Sequence, residues 1–217
     1  MKTVRRAGQL ALYYFVRYVV VGFCKVFWRE SVEGREHIPK HGPFILSPVH
    51  RSNIDSPLVA AVTRRRLRYM GKQEMWKYKA SAAFFDAMGG FPVNRGAADR
   101  EAIRKCMEVL EGGEPLVLFP EGTRRSGPIV DEMFEGAAYL STKTGAPIVP
   151  VGIGGSEPAM PKGAKFIKPV KVHLVIGPPL YPEPTTNGKA PRRAVHELNE
   201  RLKAELQRLF DEAQKKV

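Results

Sequence analysis

The sequence predicts an α/β protein with a mostly parallel central sheet and helices on its faces. Short apolar runs that suit buried strands alternate with longer stretches of helical spacing. Polar residues directly follow several of these runs, at the carboxyl ends of strands, where open α/β sheets bind their ligands. The length of 217 residues suits one domain with a substantial core. We therefore expect a single α/β domain over residues 31–217 and a separate N-terminal segment over residues 1–30.

The N-terminal segment combines an apolar stretch, residues 10–28, with scattered cationic side chains. Arg17 and Lys25 interrupt the apolar run, which disfavours a transmembrane span. No small-residue cleavage site follows it, which disfavours a secretory signal. Its aromatic residues suit the headgroup boundary of a bilayer. We expect an amphipathic helix in the membrane surface, a peripheral or monotopic attachment at the cytoplasmic face, with an ordinary buried helix as the alternative.

Strand and helix candidates alternate along the rest of the chain. Runs that predict strands occupy residues 32–39 (with a turn), 44–46, 67–71, 89–93, 115–119, 147–153 and 171–176. Helical spacing occupies residues 58–63, 74–88, 99–111, 132–144 and 194–214. Glycine closes two of these helices, at Gly112 and Gly145. A stretch rich in Pro, Thr and Gly, residues 177–191, is predicted to be a loop.

The net charge is strongly positive, +13, from 35 Lys+Arg against 22 Asp+Glu. Such a surface attracts nucleic acid, anionic lipid or phosphorylated substrates. A basic nucleic-acid-binding module is therefore an alternative of another class, but the aromatics interleaved on a basic face that it would need are missing from the sequence. We expect no nucleic-acid partner. The two cysteines, Cys24 and Cys106, form no metal pattern and are expected to be reduced.

The first candidate for chemistry is the pair His50 and Asp55, which follows the apolar run at residues 44–46. A turn between them can return the carboxylate to the imidazole, so that Asp55 holds one ring nitrogen and leaves the other free to take a proton. On this segment alone, a capping Asp beside a surface His is the commoner arrangement. A metal site is disfavoured, because a third ligand is missing from the pattern.

Three later stretches strengthen the case for catalysis. They read Gly-Phe-Pro-Val-Asn-Arg at 90–95, Phe-Pro-Glu-Gly-Thr-Arg at 119–124 and Val-Pro-Val-Gly at 149–152. Together with His-Arg-Ser-Asn-Ile-Asp at 50–55, they resemble, in order, the four motifs of the glycerolipid acyltransferases, and the resemblance is strongest to the PlsC type. Val49 stands where many PlsC-type enzymes have Asn before the histidine. The run His50-Arg51-Ser52 followed by Ile54-Asp55 looks more like the glycerol-3-phosphate acyltransferases. Glycerol-3-phosphate therefore stays open as the acceptor.

The resemblance implies an O-acyltransferase that moves a fatty acyl group from a thioester donor to a hydroxyl of 1-acylglycerol-3-phosphate. The product would be phosphatidate, in phospholipid synthesis. The donor would be acyl-CoA or acyl-carrier protein, and no cofactor or metal is required. His50 would be the general base and Asp55 would fix its tautomer. A catalytically inactive lipid-binding relative is disfavoured, because both residues of the pair are present.

The resemblance also implies a set of acceptor-binding residues. Arginine suits a phosphate because its planar fork matches the phosphate oxygens. We expect Glu121 to orient Arg124 or Arg95, or to accept a hydrogen bond from a glycerol hydroxyl, because a carboxylate does not bind phosphate. Ser52 is expected to hold the turn rather than to act as a nucleophile. The positions that match the family are Arg95, Glu121, Gly122, Thr123 and Arg124, and Lys72 is added because it ends the run at residues 67–71.

Overall fold

The structure, a computed structural model, describes residues 2–93, 100–184 and 190–217, with side chains from residue 8 onward. The strands are β1 (Ser31–Glu33), β2 (Ile45–Pro48), β3 (Arg68–Lys72), β4 (Gly90–Val93), β5 (Leu116–Val117), β6 (Ile148–Gly154) and β7 (His173–Ile176). The α-helices are α1 (Lys2–Phe27), α2 (Asp55–Leu58), α3 (Lys79–Ala87), α4 (Arg100–Glu111), α5 (Gly136–Thr144), α6 (Ser156–Ala159) and α7 (Arg192–Gln214). Short 3₁₀ turns lie at Arg35–His37, Val59–Ala61 and Gln73–Trp76.

The strands of the described residues form one sheet in the order β1-β7-β6-β2-β5-β3-β4. All neighbouring pairs are parallel except β6 and β7, which are antiparallel. Helices lie on both sides of this mixed sheet, which confirms the predicted fold class. Strand β2 is central, and its two neighbours, β5 and β6, both come much later in the chain. Its carboxyl end is therefore flanked by the segments that follow those two strands, which is the usual position of an α/β ligand site.

Helix α7 packs directly on β6 because two glycines remove the side chains between them. A Cβ on Gly152 would collide with the backbone of Leu209, and one on Gly154 would collide with the backbone of Ala213. Gly152, the last residue of the Val-Pro-Val-Gly stretch, therefore leaves room for the helix. The apolar stripe of α7, which includes Leu202, is buried against the sheet.

Helix α1 is joined to the body by one face. Tyr13, Arg17, Cys24 and Trp28 are buried on it, and the Arg17 guanidinium donates to the carbonyls of residues 60 and 63 at 2.9 and 2.5 Å. Arg17, which interrupts the apolar run in the sequence, thus points into the protein and not to the membrane surface. Its guanidinium is instead hydrogen-bonded to carbonyl oxygens in and just after the 3₁₀ turn that follows α2.

The opposite face of α1 is apolar and exposed. Its exposed large apolar residues are Leu12, Tyr14, Phe15, Tyr18, Val19, Phe23 and Val26. The segment Gly8–Phe27 is long and apolar enough, with a mean hydropathy of 1.6, to cross a membrane by length and composition, a test that buried helices and signal sequences also pass. Arg17 and Lys25 interrupt the apolar run, but two charged residues do not bring the mean hydropathy of the segment below the value for a possible span.

Most element positions agree with the sequence expectations within a few residues, and three differ for local reasons. The predicted helix at 74–88 is a 3₁₀ turn followed by α3, because Tyr78 between them is extended. The predicted helix at 132–144 begins only at Gly136, because the Phe134 N–H donates to the Pro120 carbonyl at 2.8 Å and holds the preceding residues in a loop. Helix α6 was not predicted, since four residues carry too little periodicity.

Candidate active site

The reactive turn of this site, residues 48–55, connects the end of β2 to the start of α2. The carboxylate of Asp55, at the start of α2, accepts three hydrogen bonds on Oδ2. The donors are the backbone N–H groups of Arg51 and Ser52, both at 2.7 Å, and Nδ1 of His50 at 3.0 Å. Asp55 is fully buried. The carboxylate therefore closes the turn that carries the histidine and holds its ring at the same time.

This geometry fixes the imidazole of His50 on one side and leaves the other side open. With Nδ1 donating to Asp55, Nε2 is the nitrogen with a free lone pair, and no described atom is hydrogen-bonded to it. The ring stacks on Phe119 with centroids 4.2 Å apart, and the side chain is 18% exposed. An acceptor in this orientation can take a proton from an approaching hydroxyl group.

Glu121 supports the same turn from the segment that follows β5. It is fully buried, and its Oε2 accepts from the His50 backbone N–H at 2.6 Å. Its Oε1 accepts from the Arg51 guanidinium at 2.5 Å. Glu121 therefore pairs with Arg51 and not with Arg124, and neither oxygen faces solvent.

Arg51 extends this support to the C-terminal helix. Its side chain has no exposed surface, and Nη2 donates to the Ile129 carbonyl at 2.9 Å. Its guanidinium lies 4.9 Å from the ring centre of Phe210 on α7. This structural role of Arg51 was not predicted from the sequence. The available signal was an Arg and a Glu just beyond the carboxyl ends of two strands that pair in the sheet.

Ser52 is a structural part of the turn, as expected. It is fully buried, and its hydroxyl donates to the Met160 carbonyl at 2.8 Å. The same oxygen accepts weakly from the Ile54 N–H at 3.4 Å. Because this hydroxyl is not bonded to His50, the geometry does not prepare it as a nucleophile.

The loop after Glu121 presents the remaining predicted acceptor residues. Gly122 has φ of +65°, and a Cβ there would lie 2.5 Å from the Phe134 ring, so only glycine fits without strain. Thr123 is exposed and Arg124 is half-buried. Among the described residues no acidic side chain pairs with Arg124. The next residue, Arg125, by contrast bonds Glu132 at 3.0 Å.

One further predicted residue, Lys72, lies away from the reactive turn. Lys72 ends β3, which is separated from β2 by β5, so it lies about 10 Å from the reactive turn if strands are about 4.8 Å apart. It is exposed and contacts neither His50 nor Asp55. Arg95 falls outside the described residues. Its approach to the site is still an expectation.

Fold and site first define a class: an α/β enzyme with a buried Asp–His pair at the carboxyl end of its central strand. The profile of the acyltransferase family matches residues 29–154, which is more than half of the chain. The chain therefore belongs to the acyltransferase family. The matched region runs from the start of β1 to the end of β6, and so contains the whole reactive turn and Glu121.

Individual relatives agree with this assignment. The chain is 28% identical to the 1-acyl-sn-glycerol-3-phosphate acyltransferase of Bacillus subtilis, over 70% of this chain and 73% of that protein. It is 26% identical to the protein of the same name from Pseudomonas aeruginosa, over 87% of this chain and 75% of that one. It spans less than half, 46%, of the chloroplastic relative from Brassica napus, with 24% identity over 71% of this chain.

One solved structure is similar over nearly the whole chain. The crystal structure of PlsC, the 1-acyl-sn-glycerophosphate acyltransferase from Thermotoga maritima, matches with a TM-score of 0.69 and 25% identity. The match covers 96% of this chain and 98% of that one. Even if the unmatched 4% lay entirely in α1, most of that helix would be included in the likeness.

Proposed function

We propose that this enzyme transfers a fatty acyl group from a thioester donor to the free hydroxyl of 1-acylglycerol-3-phosphate, giving phosphatidate for phospholipid synthesis. The observation that carries the proposal is the open Nε2 of His50 opposite a buried Asp55. The family membership and the names of the relatives support the reaction and the acceptor. Acyl-CoA and acyl-carrier protein are both suitable donors. The reaction as proposed uses no metal or cofactor.

In the proposed reaction His50 acts as general base. The acceptor oxygen attacks the thioester carbonyl carbon and forms the new C–O bond, while Nε2 takes the hydroxyl proton. The imidazolium that forms is stabilised by the Asp55 carboxylate. The tetrahedral intermediate then collapses, the C–S bond breaks with its electron pair on sulfur, and the proton passes from His50 to the thiolate. No covalent acyl-enzyme is needed.

The acceptor phosphate is proposed to bind at the loop after Glu121. Arg124 is the candidate ligand there, because it is partly accessible and no described acid neutralises it. Thr123 and the Gly122 backbone lie next to it, and Arg95 would add a second fork. Lys72 would contribute at longer range only. Glu121 takes a positioning role, since its oxygens already hold the reactive turn.

We also propose that residues 1–30 form an interfacial segment and residues 31–217 the catalytic domain. The exposed apolar face of α1 would lie in the cytoplasmic leaflet, where long-chain acceptor and product also partition. The buried face, which includes Arg17, would stay on the protein. This arrangement places a monotopic enzyme at the membrane surface.

The test is a matrix of purified-enzyme assays, with acyl-CoA and acyl-carrier protein donors against lysophosphatidate and glycerol-3-phosphate acceptors. We expect turnover with lysophosphatidate. Turnover with glycerol-3-phosphate alone would overturn the acceptor assignment, and no turnover with any pair would overturn the function. His50→Ala should lose nearly all activity with the fold intact by circular dichroism, and wild-type rates in this variant would overturn the role of the base.

Asp55→Asn is the sharper variant of the pair. The amide oxygen can replace Oδ2 and keep all three donors, including Nδ1–H, so the turn and the tautomer survive. What is lost is the charge that stabilises the imidazolium. We expect the rate to fall by about 10²- to 10⁴-fold, the range that a positioned general base contributes, with the acceptor KM little changed. A rate within a few-fold of wild type would show that the carboxylate charge does not assist the reaction.

A further inference from the structure

A cationic loop lies between the catalytic turn and the end of α1. We define the lysine loop as residues 161–169, which contain Lys162, Lys165 and Lys168 with Phe166 and Ile167 between them. No Asp or Glu occurs in the sequence from residue 158 to residue 182. Among the described residues none of the three lysines is paired with an acid. The loop is therefore a local concentration of free positive charge.

The apolar residues of the loop are turned outward. Phe166 is 83% exposed, the highest value among the exposed large apolar side chains of the described residues, and Ile167 is 38% exposed. A single exposed apolar residue is ordinary on a protein surface. Two adjacent ones flanked by lysines form the pattern of an interfacial contact, in which apolar groups enter the acyl boundary and cations stay at the headgroups.

Hydrogen bonds hold the loop to the site on one side and to α1 on the other. The Ser52 hydroxyl in the reactive turn donates to the Met160 carbonyl at 2.8 Å. The Lys168 N–H closes the base of the loop on the Ala159 carbonyl at 2.8 Å, and the indole of Trp28 donates to the Lys168 carbonyl at 3.0 Å. The loop thus lies at the C-terminal end of α1, where Val26 is 82% exposed.

We propose that the lysine loop is a second membrane contact, which binds anionic lipid beside the mouth of the active site. This rests on the proposed attachment through α1, because the loop is hydrogen-bonded to the end of that helix. An acidic carrier protein would also be attracted by the lysines. The membrane is favoured because the outermost side chain is Phe166, which a purely electrostatic partner does not require.

The experiment places an environment-sensitive NBD fluorophore on the loop through Phe166→Cys. The native thiols, Cys24 and Cys106, are each 1% exposed, so wild-type protein should take up little label and serves as the background control. Tyr181→Cys is the matched control, because Tyr181 is also an exposed aromatic, at 62%, and follows the other end of β7. Vesicles of phosphatidylcholine with and without phosphatidylglycerol are added at low and high salt.

We expect the label at position 166 to shift to the blue and brighten on anionic vesicles, less on neutral ones and less at high salt. The label at position 181 should not respond. Co-sedimentation of the protein with an unchanged label at 166 would overturn the loop proposal and leave the α1 attachment standing. A response only to acyl-carrier protein would also overturn it and assign the loop to that partner. Failure of the whole protein to co-sediment would overturn both.

A charge variant gives an independent measurement. Replacing all three loop lysines by Gln should weaken the partition coefficient on anionic vesicles by at least tenfold, since each basic group near such a surface contributes about fivefold. A matched variant replaces three exposed arginines of α7, Arg192, Arg193 and Arg201, and removes the same net charge. It should change partitioning less than the loop variant does. Equal losses would show that net charge, and not the loop, attracts the membrane.

Discussion

At the scale of single residues, two buried carboxylates, Asp55 and Glu121, hold the reactive turn by hydrogen bonds from two sides. Asp55 holds the imidazole and two N–H groups of the turn from inside. Glu121 holds the His50 N–H and the Arg51 guanidinium from the neighbouring strand. A buried ion pair stabilises little in itself, but removing one partner leaves an expensive uncompensated charge. The Glu121–Arg51 ion pair therefore helps to fix the backbone of His50 in one position.

Glu121→Gln tests this positioning role. The amide has one accepting oxygen and an NH2 group that only donates, so either the His50 N–H or Arg51 loses its partner. We expect a loss of about 3–5 kcal/mol in the free energy of unfolding and a lower kcat, with little change in the acceptor KM. A second variant, Arg51→Gln with Glu121→Gln, should regain part of the stability, because no buried charge is left. A raised acceptor KM with unchanged stability would instead make Glu121 a substrate ligand.

Arg124 and Arg125 form a natural comparison for the phosphate assignment. Arg124→Ala should raise the acceptor KM by about tenfold or more, because a charge-assisted contact to phosphate contributes about 1.5–3 kcal/mol. Arg124→Lys should recover part of the loss, since the charge is kept and the fork is lost. Arg125→Ala is the control, because this arginine bonds Glu132 at the surface. A change in the donor KM alone would move Arg124 to the donor site.

At the scale of elements, α1 shows how an apolar helix can serve two environments. Its buried face carries Arg17, which donates to two carbonyls, and its opposite face exposes large apolar side chains such as Phe15 and Val19. Sequence periodicity could not predict that Arg17 is buried, because the two carbonyls that accept from it are 43 and 46 residues further along the chain.

The two faces of α1 can be tested separately. Deleting the helix would expose the apolar surface under Tyr13 and Trp28 and so confound binding with aggregation. Replacing Phe15, Val19, Phe23 and Val26 by Ser instead changes only exposed positions. We expect vesicle co-sedimentation to fall strongly, and rates with long-chain acceptors to fall more than rates with short-chain ones, at a nearly unchanged Tm. Arg17→Gln is the control, which should lower Tm and leave lipid binding largely intact. Equal vesicle binding by the Ser variant would show that this face does not attach the protein.

The site could be predicted only in part at this scale. The strand ends located His50, Asp55 and the loop at 121–124, because parallel strands bring their carboxyl ends to one edge. The partner of Glu121 could not be predicted, because Arg51, Arg95 and Arg124 were all candidates and the choice depends on side-chain direction. The lysine loop and α6 also escaped prediction, since neither carries a periodic pattern.

At the scale of the whole molecule, a buried carboxyl at the junction of α1 and β1 couples stability to pH. Glu30 is 7% exposed, and neither of its oxygens has a hydrogen-bond partner among the described residues. Burial raises its pKa to about 8, although the positive charges of Arg35 and Lys25 oppose the shift. In the folded protein the Glu30 carboxyl is therefore protonated at pH values below about 8.

The sign of the pH dependence follows from this shift. Because the pKa is higher in the folded state, the folded protein binds the proton more tightly, and stability falls as the pH rises from about 4.5 through about 8. Glu30→Gln should flatten this part of the profile and raise the free energy of unfolding near pH 8 by a few kcal/mol, at about 1.4 kcal/mol for each pKa unit. Denaturant titrations at several pH values provide the measurement. Parallel profiles for the two proteins would show that another group sets the dependence.

The overall architecture was predictable for a different reason than the site. Alternation of strand and helix patterns is repeated along the chain, so single errors such as the split of the 74–88 segment do not change the class. The antiparallel return of β7 was not predicted, because strand direction depends on the length and path of a connection and not on the strand's own residues.

The central position of β2 has a consequence for the order in which the molecule forms. Its partners β5 and β6 begin at Leu116 and Ile148, so a ribosome must add about 100 residues after Pro48 before the second partner exists. At about 5–20 residues per second this takes roughly 5–20 s. His50 is thus synthesised early, but the strand pairs that position it, β2 with β5 and β2 with β6, form late. Long-range parallel pairing of this kind is intrinsically slow, and until β6 arrives β2 has an open edge, which makes the nascent chain a natural client for chaperones.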